Sequence, residues 1–199
     1  MDPPDGKIPY HPWAAAQREQ NVKQYVEPNA ACFLSGVPRS MYVPGGFQIL
    51  QRPGYVVFLF DRSHAYRVIP TDGRPRIGEN ISLWNGDSRG RWEGNTLVVE
   101  VTNQNGRTWL DQTGTFHTDA ARIVERFTLI DANTIHYDVT IEDPTVYTRP
   151  WKMAVPVKRN TEEGYELMEM ACYEGERDAE PILRQGYKFY PGITANRKR

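Results

Sequence analysis

From Phe47 onward the chain alternates apolar and polar residues in short runs separated by turn-forming pairs, the period-two signature of strands that bury one face. The runs predict nine strands, at 47–51, 55–60, 64–69, 89–93, 96–102, 121–130, 134–142, 150–157 and 164–172. Pro53-Gly54, Gly94-Asn95 and Asp131 to Asn133 supply tight turns between them. Three connections are longer, Pro70 to Ser88, Asn103 to Ala120 and Asp143 to Arg149. Every second connection of an antiparallel meander falls at the same end, so these three are expected to gather around one mouth as a pocket rim. The expected class is all-β, an antiparallel barrel or strongly curled sheet.

The flanks read differently. Pro12 suits the first turn of a helix over 13–25, built on Ala14, Ala15 and Ala16 and stopped before Pro28. Residues 29–46 carry Gly36, Pro38, Pro44, Gly45 and Gly46 and predict an irregular strap across the domain. A short helix capped by Asp178 and ended by Gly186 is expected after the last strand. The 199 residues show no composition break, so one domain is expected, with 1–46 as helix and strap, 47–172 as barrel and 173–199 as helix and tail.

Alternation then sorts the faces. Glu125 shares a face with Ile123, Phe127 and Leu129, and Glu169 falls among Tyr165, Leu167 and Ala171. Two carboxylates are thereby expected at an apolar wall, where burial disfavours their charge unless a partner compensates. Each is either a catalytic carboxyl group or half of a structural ion pair. Tyr137 is expected inside with Ile135, Val139 and Ile141, and His136 outside. Trp151 falls with Met153, Val155 and Val157, nearest the mouth, as a ligand wall or as plain core. The run 64–69 has no decisive alternation; Arg67 pointing inward, as the counter-ion of Glu125 or Glu169, is the favoured assignment.

The connection 103–120 is too long for a hairpin and holds Asn105, Arg107, Trp109, Asp111 and His117, a set of donors, a ring, a carboxylate and an imidazole. A histidine beside a carboxylate is common equipment for general acid/base chemistry, although a loop histidine is more often solvated or capping. No nucleophile elbow, phosphate loop, dinucleotide fingerprint or zinc-binding spacing occurs, so no cofactor is implied and a metal site among the four histidines is a minor alternative.

Charge and cysteines narrow the setting. With 24 Lys+Arg against 25 Asp+Glu the formal charge is −1, which removes the electrostatic case for a nucleic-acid or anionic-membrane partner. The basic tail Asn196-Arg197-Lys198-Arg199 reads as a solvated end. No apolar run approaches the roughly eighteen residues of a membrane-spanning helix. The only two cysteines, Cys32 and Cys172, flank the predicted sheet, and form either a disulfide or two unrelated buried thiols. Met1 before Asp2-Pro3-Pro4-Asp5-Gly6 reads as an initiator on a processed chain.

Several segments, among them Pro12-Trp-Ala-Ala-Ala, Gly36-Val-Pro-Arg, His64-Ala-Tyr-Arg-Val-Ile, Gly86-Asp-Ser-Arg-Gly-Arg-Trp-Glu-Gly-Asn-Thr-Leu-Val-Val-Glu, Thr108-Trp-Leu-Asp, His117-Thr-Asp-Ala and Thr140-Ile-Glu-Asp-Pro, resemble a large group of exported bacterial proteins of unassigned activity. The likeness covers nearly the whole chain. It implies a lipocalin-like or calycin-like barrel, a periplasmic or secreted location and the Cys32–Cys172 disulfide, and it carries no mechanism. The functional expectation is a cofactor-independent lyase, isomerase or hydrolase acting on an aromatic or polyhydroxylated small molecule. His117 with Asp111 would be the acid/base pair, Glu125 or Glu169 a second carboxyl group, and Tyr137 and Arg149 polar partners of the substrate. Trp109, Trp151, Arg67 and Asn105 would complete the binding surface. The alternative is a lipocalin-type binding protein without catalysis, and the oligomeric state is open.

Overall fold

The computed structural model describes residues 2–173 and 179–195. Helix α1 spans Pro12–Gln24, with the proline at its start, and buries Ala14 and Asn21. It passes directly into the two-residue strand β1, Tyr25–Val26. The strap that follows holds two short 3-10 turns, Pro28–Ala31 and Arg39–Met41. Strands β2 (Phe47–Arg52), β3 (Tyr55–Phe60) and β4 (Tyr66–Pro70) form a three-stranded antiparallel sheet. Strands β5 (Asp87–Glu93), β6 (Thr96–Thr102), β7 (Arg122–Asp131), β8 (Thr134–Glu142) and β9 (Trp151–Lys158) form a five-stranded antiparallel meander. Helix α2, Glu180–Arg184, precedes β10, Lys188–Phe189, which pairs in parallel with β1. The anticipated Asp178 cap and the basic tail at 196–199 lie outside the described residues.

The class is all-β, but no sheet among the described residues closes into a barrel. Two departures from the predicted meander account for this. The expected last strand at 164–172 does not form; its one ladder contact is an isolated parallel bridge between Met170 and Arg62. Tyr165, Met168 and Ala171 are exposed, so the apparent alternation there did not mark a buried face. The second departure is at the seam between the sheets. Arg67 on β4 donates to Ser88 on β5 at 3.0 Å, and Gly90 faces Ile69 and Thr71, so β4 runs in the same direction as β5. A parallel neighbour needs a crossover, which is the work of residues 71–86. At Gly90 a Cβ would sit 2.8 Å from Ile69 Cγ2, and the missing side chain is what allows this approach.

The inner faces of the two sheets make one core. Val56, Phe58 and Ile69 meet Leu97, Val99, Ile123, Phe127 and Val139, with Phe58 and Phe127 rings 5.3 Å apart. Leu129, expected inside, is the last residue in register before a shift near the strand end and is half exposed. The outer face of the meander is a charged lattice in which Glu100 meets Arg91 at 3.1 Å and Arg122 at 3.0 Å across neighbouring strands.

The connections 103–121 and 143–150 do leave from one end, where Thr118 N–H donates to Asp143 Oδ2 at 2.6 Å. Leu83, late in the crossover, joins them by donating to the Asn103 carbonyl at 2.8 Å. This end is not an empty mouth. Asn21 of α1 donates to the Gly114 carbonyl at 3.0 Å, Trp13 to the Thr145 carbonyl at 3.2 Å and His11 N–H to the Val146 carbonyl at 2.9 Å. The helix and the segment leading into it satisfy the loop backbone and fill the space between the loops.

Cys32 and Cys172 form a disulfide with Cα atoms 5.6 Å apart, tying the strap to the end of the 159–173 segment. Such a bond fits an extracellular or otherwise oxidising compartment. No helix among the described residues is long and apolar enough to cross a membrane.

Candidate functional site

Alternation along β4, β7 and β8 turns Arg67, Glu125 and Tyr137 into the core, where their side chains meet. Arg67 Nη1 donates to Glu125 Oε1 at 3.0 Å, Arg67 Nη2 donates to Oε2, and the Tyr137 hydroxyl donates to Oε1 at 2.7 Å. Arg67 Nε is taken up by Ser88 Oγ. Burial and the Glu125 charge hold the Tyr137 phenol well above its ordinary pKa, so it stays a donor. Arg67 is 2 % exposed and Glu125 is fully buried, and neither cleft described below is lined by either residue. The group is a closed, mutually satisfied ion pair inside the core.

His117 is also fully buried, and its ring nitrogens are committed elsewhere. Nδ1–H donates to the Thr118 carbonyl at 2.9 Å, which leaves Nε2 to accept from the Thr108 hydroxyl at 2.9 Å. Desolvation holds its pKa below the ordinary value and keeps it neutral. Asp111, its expected partner, instead accepts Thr113 N–H at 2.8 Å and Thr115 N–H at 3.1 Å, and the Thr115 hydroxyl at 2.6 Å. It shapes its own loop. His117 and Asp111 therefore do not form the acid/base pair the spacing predicted, and His117 shares no hydrogen-bond partner with Glu125.

The other expected site residues are dispersed. Trp109 is core, edge-on to Tyr190 at 5.6 Å, and Trp151 packs in the same way on Tyr147. Asn105 Oδ1 caps its own turn by accepting Arg107 N–H at 3.0 Å. Arg149 is exposed, 3.5 Å from Asp2. Glu169 is not inward: its segment is no strand, its side chain is 72 % exposed, and its Oε1 lies 2.8 Å from His64 Nε2.

What the structure does bring together lies where the strap crosses the β3–β4 turn. Gly46 N–H donates to Asp61 Oδ2 at 2.7 Å, and a Cβ on Gly45 would sit 2.6 Å from Asp61 Oδ1 at a φ of +139°, so both features of Gly45 require glycine. Leu167 closes over Gly46 from the other side, and Met170 N–H donates to the Asp61 carbonyl at 2.8 Å. The turn holds Ser63 and His64 at positive φ, 58° and 49°, an uncommon conformation for such residues. Between strap and turn is a cavity of about 40 Å³ lined by Ser40, Met41, Phe47, Arg62, Ser63 and Asn85, among others.

Three buried polar atoms that have no hydrogen-bond partner among the described residues, Ser40 Oγ, Arg62 Nε and Ser63 Oγ, belong to residues lining this one cavity. Ser40 is only 8 % exposed, and Arg62 has no carboxylate partner among the described residues. Unmet buried polar groups are uncommon in folded proteins, and three of those found among the described residues belong to side chains around this cavity. Beside it is an open groove of about 340 Å³ lined by Leu59, His64, Tyr66, Leu167, Met168 and Glu169 among others, sharing Phe60, Asp61 and Ala65 with the cavity. Among the described residues no group of three or more His, Cys, Asp or Glu side chains could hold a metal ion. The sequence leaves this place unmarked because 61–63 reads as a plain short turn and His64 as the start of a strand. The available signal is the polar run Asp61-Arg62-Ser63-His64, which spans that turn and the start of the expected strand, together with the Gly45-Gly46 pair.

Comparison with known proteins finds no matching family model, no matching curated protein and no matching solved structure.

Proposed function

We propose that the protein binds a small molecule at the junction of strap and β3–β4 turn, its polar end in the cavity and its body along the groove. The observation that carries this reading is that three residues lining one cavity, Ser40, Arg62 and Ser63, each have a buried side-chain atom with no hydrogen-bond partner among the described residues. The groove is open, and its Leu59, Tyr66, Leu167 and Met168 supply an apolar or ring-stacking surface for the body of the ligand. In this reading the two sheets form an open, lipocalin-like calyx closed by the strap, working in the periplasm or outside the cell. The test is calorimetric and thermal-shift screening of small acids, phenols and sugars against the wild type and Ala65→Phe, which places a ring where cavity and groove meet. Ligands should stabilise the wild type and fail with the variant; equal binding by both would remove the site.

One observation favours a second reading. His64 and Glu169 are hydrogen-bonded at 2.8 Å on the wall of the groove, as a cofactor-independent acid/base enzyme would require. Here the lyase, isomerase or hydrolase activity belongs to this pair and not to His117. His64→Gln should then lower turnover of a bound compound by about 10² to 10⁴ with little change in affinity. Binding without turnover by the wild type leaves the carrier reading.

A further inference from the structure

Resting on that binding reading, we propose that the cavity takes the carboxylate of a small organic acid whose apolar or aromatic body lies in the groove. Arg62 offers only donors, and a serine hydroxyl can rotate to donate. Ser40, Arg62 and Ser63 line the cavity, and each has a side-chain donor, Oγ, Nε and Oγ, with no acceptor among the described residues. The complementary group is rich in acceptors, and a guanidinium with a carboxylate gives the stronger, charge-assisted bonds.

Size points the same way. One water needs about 10 to 15 Å³ of such space, so about 40 Å³ admits two or three non-hydrogen atoms of a ligand end and excludes a sugar ring. The rest of the molecule must extend over Phe60 and Ala65, the shared wall, into the groove of Leu59, Tyr66, Leu167 and Met168. That surface is largely apolar, which selects a hydrocarbon or aromatic body over a bare inorganic anion.

Asp61 is the opposing charge in the same wall. One of its oxygens is engaged by Gly46 N–H, yet its negative charge still repels an acid bound beside it. This gives a variant whose effect has opposite signs for the two ligand classes. Asp61→Asn retains an acceptor for Gly46 and removes the repulsion, so an acid should bind about 5-fold tighter. A hydroxylated neutral ligand that donates to Asp61 should instead bind more weakly.

The experiment is calorimetric titration of the full chain with benzoate and hexanoate, their amides, and inorganic phosphate. Folding of each variant is checked by circular dichroism and melting temperature. The acids should bind and each amide should be at least 10-fold weaker. Arg62→Gln should weaken the acids about 10- to 100-fold, the range for a lost hydrogen bond to a charged group, and Arg62→Lys should recover part of this. Asp61→Asn should strengthen them. Where Arg62→Gln fails to fold, the acid-to-amide ratio in the wild type and in Ser40→Ala decides. Amides that bind as well as acids, or phosphate binding alone, overturn the carboxylate assignment while leaving a binding site. Absence of binding by these probes and by the whole screened set defeats the binding reading itself.

Discussion

Arg67 and Glu125 meet head to head inside the core, one guanidinium spanning both oxygens of one carboxylate, with the Tyr137 hydroxyl donating 2.7 Å from Oε1. Glu125→Gln keeps the shape and leaves the arginine as an uncompensated buried charge. Breaking a buried pair from one side costs about 3 to 5 kcal/mol, so the urea midpoint should fall by that equivalent. Ligand binding per folded molecule should survive. The double change Arg67→Met with Glu125→Leu should recover much of the loss, since it removes both charges. A large loss of binding with unchanged stability would return Glu125 to the functional site.

His117 gives a pH dependence whose sign is fixed. Burial keeps it neutral in the folded state, with its pKa below the ordinary 6.5, while the unfolded chain takes up a proton near that pH. The unfolded state binds more protons there, so stability falls as pH drops from about 6.5 towards the folded pKa and flattens below it. The slope from this group is at most about 1.4 kcal/mol per pH unit. His117→Gln should flatten the melting-temperature profile between about pH 6.5 and 5 relative to the wild type. Parallel profiles would show that His117 is not the group responsible.

The disulfide closes a sequence separation of 140 residues. Loop-closure entropy sets about 5 kcal/mol as the upper limit of its contribution. Thiol titration under denaturing, non-reducing conditions should find no free cysteine, and Cys32→Ser with Cys172→Ser should lower stability by up to that amount. The same variant should weaken ligand binding, because the bond anchors the segment that brings Leu167, Met168 and Glu169 to the groove. Two reactive thiols in protein folded under oxidising conditions would contradict the pairing.

Gly45→Ala places a side chain at positive φ and against Asp61, so it should destabilise the strap. Hydrogen exchange should report this as faster exchange at Gly46, whose N–H is held by Asp61, with little change in β6 to β8. Unaltered exchange at Gly46 would mean the strap is not held by this contact.

Period-two alternation marks the inner faces of β7 and β8, which places Glu125 and Tyr137 inside, but it does not decide the face of 64–69. There Arg67 pointing inward follows from the need for a counter-ion to Glu125 or Glu169, and the structure pairs it with Glu125. The same alternation misread 164–172, where Tyr165, Leu167 and Glu169 alternate correctly but no neighbouring strand offers a ladder. The alternation of connections gives the common end of 103–120 and 143–149, but not that 70–88 is a crossover starting at the other end, nor that α1 fills the common end, since contacts such as Arg67 to Ser88 and Asn21 to Gly114 join residues far apart in sequence. His117 looked chemical in isolation and is satisfied by Thr108 and Thr118. The cavity was the least legible feature, because Ser40 and Arg62 belong to strap and turn, whose approach depends on Gly45, Gly46 and Asp61.

The most direct test of where the ligand sits is a two-dimensional amide NMR titration of the wild type with benzoate. Shifts should be confined to Ser40, Gly45, Gly46, Asp61 to Ala65 and Leu167 to Glu169 and should saturate together. Shifts centred on Glu125, Tyr137 and His117, or no shifts with this acid and with every other compound screened, would contradict this placement.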